Sequence, residues 1–129
     1  FFREFILKDI QKIVQNLKKA GCKNMLMHIT GNILPILKYY DQLQIDIVNL
    51  DYPVDPFTAR SKLQTDLCLM GNIKPLSFIE QSPEQIYARA KDLIKSVADQ
   101  KGFILSSGCE IPVGSKAENI AALVQAAKG

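Results

Sequence analysis

Apolar residues along this chain recur at two spacings, and the change from one to the other falls at glycine, proline and asparagine. Phe2, Phe5, Ile6, Ile10, Ile13, Val14 and Leu17 follow the three-to-four-residue period of an amphipathic helix, and Gly21 is its stop. Residues 24–28 hold the short run Met-Leu-Met between Gly21 and Gly31, too short for a helix, which predicts a first strand. Residues 32–43 read as a helix with Pro35 tolerated in its first turn. A second strand is predicted over 45–50, ending at Asp51, followed by a weaker helix over 53–64 whose regular part starts only after Pro56. A third strand over 66–70 ends at Gly71-Asn72. Ser82, Pro83 and Gln85 form a capping-box signature, after which Ile86, Ala90, Leu93, Ile94 and Val97 mark one buried helix face. The fourth strand is predicted over 102–106. Ser115 with Glu118 repeats the cap pattern ahead of a last helix lined by Ile120, Leu123, Val124 and Ala127.

The predicted order is one helix and then four βα units, within a single α/β domain spanning 1–129. The strands are apolar on both faces, as parallel strands covered by helices are. Four consecutive units of similar size suggest half of a (β/α)8 barrel, with a doubly wound open sheet as the alternative. No linker, low-complexity segment or internal repeat interrupts them.

Composition narrows the function classes. Hydrophobic residues make up 47% of the 129, enough to bury a core. The formal charge is only +3, and lysines such as Lys8, Lys12, Lys18 and Lys19 are spread along a helical segment as a solvated face. A nucleic-acid binder would show a dense basic patch interleaved with aromatics, so that class is set aside. Three cysteines without a CxxC pair do not make a disulfide framework, which points to a reducing cytoplasm. No apolar run approaches the ~20 residues of a membrane span. Arg3, Glu4, Lys8 and Asp9 mix charges in a way foreign to a signal peptide. The chain opens on Phe1, and the expectation is a piece of a longer protein, inactive on its own.

The candidate chemistry lies where α/β proteins place it, at the carboxyl ends of strands. His28, Asp51, Asn72 and Cys109 each fall at one of the four predicted strand ends. Residues 102–112, Gly-Phe-Ile-Leu-Ser-Ser-Gly-Cys-Glu-Ile-Pro, run from a strand through a small-residue turn that presents Cys109 and Glu110 side by side. A thiolate and the chain's one imidazole, His28, are both good zinc ligands, and Glu110 is a third candidate donor. Taken on its own, a strand-end histidine such as His28 is more often a hydrogen-bonded structural residue than a ligand. Asp51, Asn72 and Glu110 are expected to line a substrate pocket, while Asp46 and Asp55 suit turn and cap chemistry. Cys22, Cys68, Tyr39 and Tyr40 read as structural. No Ser-His-Asp order, phosphate-cradling loop or dinucleotide fingerprint is present.

His28-Ile-Thr-Gly-Asn32, residues 46–51, Gly71-Asn-Ile-Lys-Pro75 and residues 102–112, in that order and spacing, resemble the uroporphyrinogen decarboxylase superfamily. The nearer branch is the corrinoid-dependent methyltransferases, including methylcobalamin:coenzyme M methyltransferases. Phe2-Arg3-Glu4-Phe5 resembles the helix that precedes the histidine strand there, so the likeness covers essentially the whole chain. It implies the carboxyl-terminal half of a (β/α)8 TIM barrel, with the amino-terminal half lying outside. It also implies a zinc that activates a thiol, with His28 and Cys109 as ligands and a corrinoid as methyl donor. The branch carries His-x-Cys-Gly where this chain has Thr30 in place of the first cysteine. The decarboxylase branch is metal-free and has a Gly-His-Gly type loop that this chain lacks. Three activities stay open on the resemblance: methyl transfer from a corrinoid to a thiol, decarboxylation in tetrapyrrole biosynthesis, and non-catalytic corrinoid or tetrapyrrole binding or assembly. A half barrel leaves its inner face and two sheet edges uncovered, which predicts a homodimer or association with the missing half barrel.

Overall fold

A computed structural model describes residues 1–99 and 102–129. Strands β1 (Leu26–His28), β2 (Ile47–Asn49), β3 (Cys68–Ile73) and β4 (Phe103–Ser107) form one parallel sheet in the order β1-β2-β3-β4. A doubly wound sheet reverses its strand order at a switch point. An order that only advances is that of a barrel arc, so the four βα units are consecutive units of a (β/α)8 barrel. Among the described residues no helix is long and apolar enough to cross a membrane.

The helices are α1 (Leu7–Lys19), α2 (Pro56–Lys62), α3 (Ser77–Glu80), α4 (Pro83–Ser96) and α5 (Ala117–Lys128). Helix α1 ends as the sequence predicts. Gly21 has φ +94°, its N–H donates to Lys18 O, and Cys22 N–H donates to Leu17 O, a Schellman closure that only a residue tolerant of positive φ accommodates well. Its apolar face is narrower than predicted. A π-helical turn over Phe2–Ile6 widens the start, so Leu7, Ile10 and Val14 face the core while Phe5, Ile13 and Leu17 stay exposed. Helix α4 carries the predicted capping box: Ser82 Oγ accepts from Gln85 N and Gln85 Oε1 accepts from Ser82 N.

Other predicted elements are corrected. Residues 32–43 do not form an α-helix; they form turns and a 3-10 helix at Leu37–Gln42. Leu37, Tyr40 and Leu43 are buried at intervals of three, which the tighter 3-10 repeat stacks on one side. Strand β3 runs past Gly71-Asn72 to Ile73, because Gly71, Asn72 and Ile73 find partners in Leu105, Ser106 and Ser107 of β4. The Ser115–Glu118 cap does not form. Helix α5 starts after Lys116 without a side-chain cap, and the buried Asn119 amide instead donates to Phe78 O and Gln81 O. Helix α3 has only four residues, too few to show a period in sequence.

Register assigns the two faces. Met27, Val48, Leu69 and Phe103 align across the sheet on the side packed against the helices, where Val48 and Leu69 are fully buried. Along strands successive side chains alternate faces, so His28, Asn49, Met70 and Ile104 align on the opposite, concave side. Leu26 (50% exposed) and Ile104 (41% exposed) show that this inner face is open. A second core of Ile73, Phe78, Ile86, Ala90, Ala122, Leu123 and Ala126 joins the end of β3 to α3, α4 and α5.

Tyr40 carries a testable cost inside the first core. Its side chain is 1% exposed, it stacks near Phe2, and its hydroxyl has no hydrogen-bond partner among the described residues. Burial pushes its pKa up to about 12. Because the folded pKa lies above the unfolded value, the folded state favours the neutral phenol. That contribution is present below about pH 10 and is lost as pH rises from about 10 to 12. Tyr40→Phe is expected to hold or slightly raise the melting temperature at pH 7 and to weaken the alkaline fall, as followed by circular dichroism. A clear loss of stability at pH 7 would mean that the hydroxyl is satisfied in solution.

A candidate thiol and imidazole site at the strand ends

His28 ends β1 and Cys109 lies in the loop after β4, so the two reach the site from opposite edges of the arc. Their side chains meet: Cys109 Sγ is 3.6 Å from His28 Nε2. Thr30 Oγ1 completes a triangle, 3.3 Å from His28 Nε2 and 3.9 Å from Cys109 Sγ. On the far side of the ring, His28 Nδ1 lies 3.3 Å from the backbone oxygen of Asn49. A carbonyl only accepts, so Nδ1 carries the proton and Nε2 turns its lone pair toward the thiol. This backbone-to-imidazole bond is the kind of outer support that orients metal-ligating histidines.

The loop that presents Cys109 is folded by its own neighbours. Ser107 Oγ donates to Cys109 O and accepts from Cys109 N, which bends residues 107–109 into a tight turn. Gly108 N–H donates to Ile73 O at 2.8 Å. A Cβ at 108 would stand 2.5 Å from Tyr52 N, so the loop presses onto the β2–α2 connection where no side chain fits.

Asp51 sits 4% exposed behind this surface. Its Oδ2 accepts from Gly31 N at 2.6 Å and its Oδ1 from Tyr52 N at 2.7 Å. Expected to line a pocket, it ties the loop after β1 to the loop after β2. Asn72 lies within β3 and donates its amide to Asp51 O and Val54 O, and it borders a groove beside Tyr52. Glu110 is exposed and does not join His28 and Cys109. Among the described residues no three His, Cys, Asp or Glu side chains gather as a metal-binding group. Cys22 is exposed beyond α1, and Cys68 is half-buried on the inner face rather than deep in the core.

The donor set can be compared with zinc. Zinc–nitrogen bonds of about 2.0 Å and zinc–sulfur bonds of about 2.3 Å put two tetrahedral ligands about 3.5 Å apart. The His28–Cys109 separation of 3.6 Å is close to that edge, so the pair fits zinc as two of its ligands. The third corner holds a neutral threonine hydroxyl, weaker than the thiolate, imidazole or carboxylate that zinc sites use. Thr30→Cys is therefore expected to tighten zinc binding by at least about tenfold, the lower end of what even an outer-shell partner is worth. Chelator competition reads this directly, and unchanged affinity would show that residue 30 does not face the metal.

Thr30 is marked in the sequence only as the residue standing where the resembling branch has a cysteine, and Ser107 carries no signal of its own, because a hydroxyl becomes part of a site only through what the fold brings to it. The Asn49 carbonyl, being backbone, is invisible there altogether.

The whole chain, residues 1–129, matches the family model "Uroporphyrinogen decarboxylase (URO-D)". A uroporphyrinogen decarboxylase from Hordeum vulgare is 30% identical over 99% of this chain and 38% of its own length. A methylated-thiol–coenzyme M methyltransferase from Methanosarcina mazei is 28% identical over 98% of this chain and 32% of its own length. A solved methyltransferase structure from Methanosarcina mazei superposes with a TM-score of 0.84 at 25% identity, covering 98% of this chain and 36% of that one. The chain thus spans about a third of the length of the proteins it matches. With the barrel units, the strand-end site and a family match over every residue in agreement, this chain belongs to the uroporphyrinogen decarboxylase (URO-D) family.

Proposed function

We propose that this chain is the carboxyl-terminal half of a methyltransferase-type URO-D family protein, and that its strand-end site serves methyl transfer from a corrinoid to a thiol. The observation that carries the reading is the approach of Cys109 Sγ to within 3.6 Å of His28 Nε2 from opposite edges of the sheet. The resemblance to a methylated-thiol methyltransferase supports it.

His28 and Cys109 would hold zinc, which when bound lowers the pKa of a thiol so that a thiolate exists at neutral pH. His28 is held in the Nδ1–H tautomer by Asn49 O and keeps Nε2 directed at the site. Asp51 and Ser107 fix the two loops that carry Thr30 and Cys109. Met70 and Ile104 share the row of His28 and supply apolar surface beside it. The open inner face around Leu26 and Ile104 would be covered by a second half barrel, from the longer protein or a second copy. The cysteines are free, which suits the cytoplasm as the site of action.

The barley relative favours a second reading, decarboxylation of a porphyrinogen. The longest form of the protein, supplied in parallel with methylcobalamin plus a small thiol and with uroporphyrinogen, separates the two. Thiol methylation that depends on His28 supports the first reading. Decarboxylation without methyl transfer overturns it.

A further inference from the structure

A groove of about 480 Å³ lies between the β2–α2 connection and α4, within the size range of small-molecule sites. It is lined by Tyr52, Lys74, Ser77, Gln81, Gln85 and Arg89, together with Asn72 and Ala88. No carboxylate borders it, while two cations, amides and hydroxyls do. Arg89 has no ion-pair or hydrogen-bond partner among the described residues. Among the described residues Lys74 meets only Glu80, at 3.8 Å and half-exposed, a contact too long and too wet to neutralise it. Gln85 spends its Oε1 on the α4 cap, which leaves its two amide hydrogens available. The walls are held in place: Asn72 bonds the 51–54 loop through its amide, and Gly108 abuts Tyr52 from behind. The groove lies between the connections that follow the two central strands.

We propose that this groove binds the carboxylate of a small organic acid, with Arg89 as its principal anchor. A guanidinium presents paired N–H donors that match a planar carboxylate, and Lys74 adds a second positive charge. An adjoining groove shares Tyr52, Asn72 and Arg89 and adds Asp55 and Asp92. Asp55 is engaged in capping α2, so Asp92 is the acidic group left beyond Arg89, and the ligand's carboxylate belongs at the Lys74 end. The inference does not rest on thiol chemistry and stands or falls separately from it.

Calorimetric titration of succinate, against inorganic phosphate at matched ionic strength, tests it. Saturable succinate binding is expected, weakened about tenfold or more in Arg89→Ala and to a lesser degree in Arg89→Lys, which keeps charge but loses the fork. Cys109→Ser should bind succinate as the parent does, so that failure of the thiol reading and failure of this one are distinguishable. Absence of saturable binding, phosphate binding tighter than succinate, or equal binding in Arg89→Ala at unchanged melting temperature would each overturn the assignment.

Discussion

In the longest form of the protein, Cys109→Ser is expected to lower the proposed thiol methylation by at least about a thousandfold, the scale on which loss of one member of a catalytic unit acts, while leaving the fold intact. Serine has nearly the same shape and keeps a hydrogen-bonding atom, so the loop has no steric reason to move. That loop is held by Ser107 and by the Gly108-to-Ile73 backbone bond, neither of which uses the thiol. What serine lacks is a soft, readily ionised donor: a hydroxyl does not bind zinc as a thiolate does. The expected pattern is a melting temperature close to that of the parent, a metal content that falls, and a methylation rate near background. Full metal content together with a parental rate would remove Cys109 from the site. His28→Ala should show the same pattern, with one difference. The carbonyl of the buried Asn49 loses its imidazole partner, so a modest fall in melting temperature is expected as well.

Much of this architecture is legible from residue order because the local signals and the tertiary environment agree. Val48 and Leu69 are apolar, lie in short runs bounded by turn residues, and are fully buried in the sheet. Gly21 and the Ser82–Gln85 box stop and start helices by backbone chemistry that needs no distant partner. Where prediction and structure part, a long-range contact has prevailed. Gly71 and Asn72 look like a turn, yet they remain in β3 because β4 supplies partners for them. Ser115 and Glu118 look like a cap, yet α5 begins under the hold of Asn119 on Phe78 and Gln81. The segment 32–43 has a proline and an apolar spacing close to three, and the tighter helix satisfies it.

The site divides in the same way. His28 and Cys109 are identifiable as candidates because imidazole and thiol are scarce and fall at strand ends. Their meeting is a property of the arc and of the bend at Ser107. Asp51 is conspicuous in sequence, but its job is set by two backbone N–H groups that no pattern reveals. Arg89 looks like any surface charge on an amphipathic helix. It becomes notable only because the fold places it beside Lys74 with no acid between them.

The largest structural effect is expected at Asp51. Its carboxylate is 4% exposed and supplies the acceptors for Gly31 N–H and Tyr52 N–H, at 2.6 Å and 2.7 Å. Asp51→Ala leaves both part-buried donors without their carboxylate acceptor. A buried unsatisfied group costs about 1–3 kcal/mol, and bonds to charged acceptors are the stronger kind. A total loss of about 2–5 kcal/mol follows, which for a domain of this size corresponds to a fall in melting temperature on the order of 10 °C. Asp51→Asn should not rescue it. One amide oxygen accepts from one N–H, but the amide nitrogen then faces the other N–H, donor against donor. The damage should also spread to the chemistry. Gly31 follows Thr30 and Tyr52 backs Gly108, so loosening both frees the two loops that bring Thr30 and Cys109 to His28. Thermal denaturation and amide hydrogen exchange at Gly31 and Tyr52 read the two effects separately. Faster exchange at both amides with a large drop in melting temperature is the expected result. A shift below about 2 °C in Asp51→Ala, well short of what two orphaned donors should cost, would show that the loops are held by something other than this carboxylate.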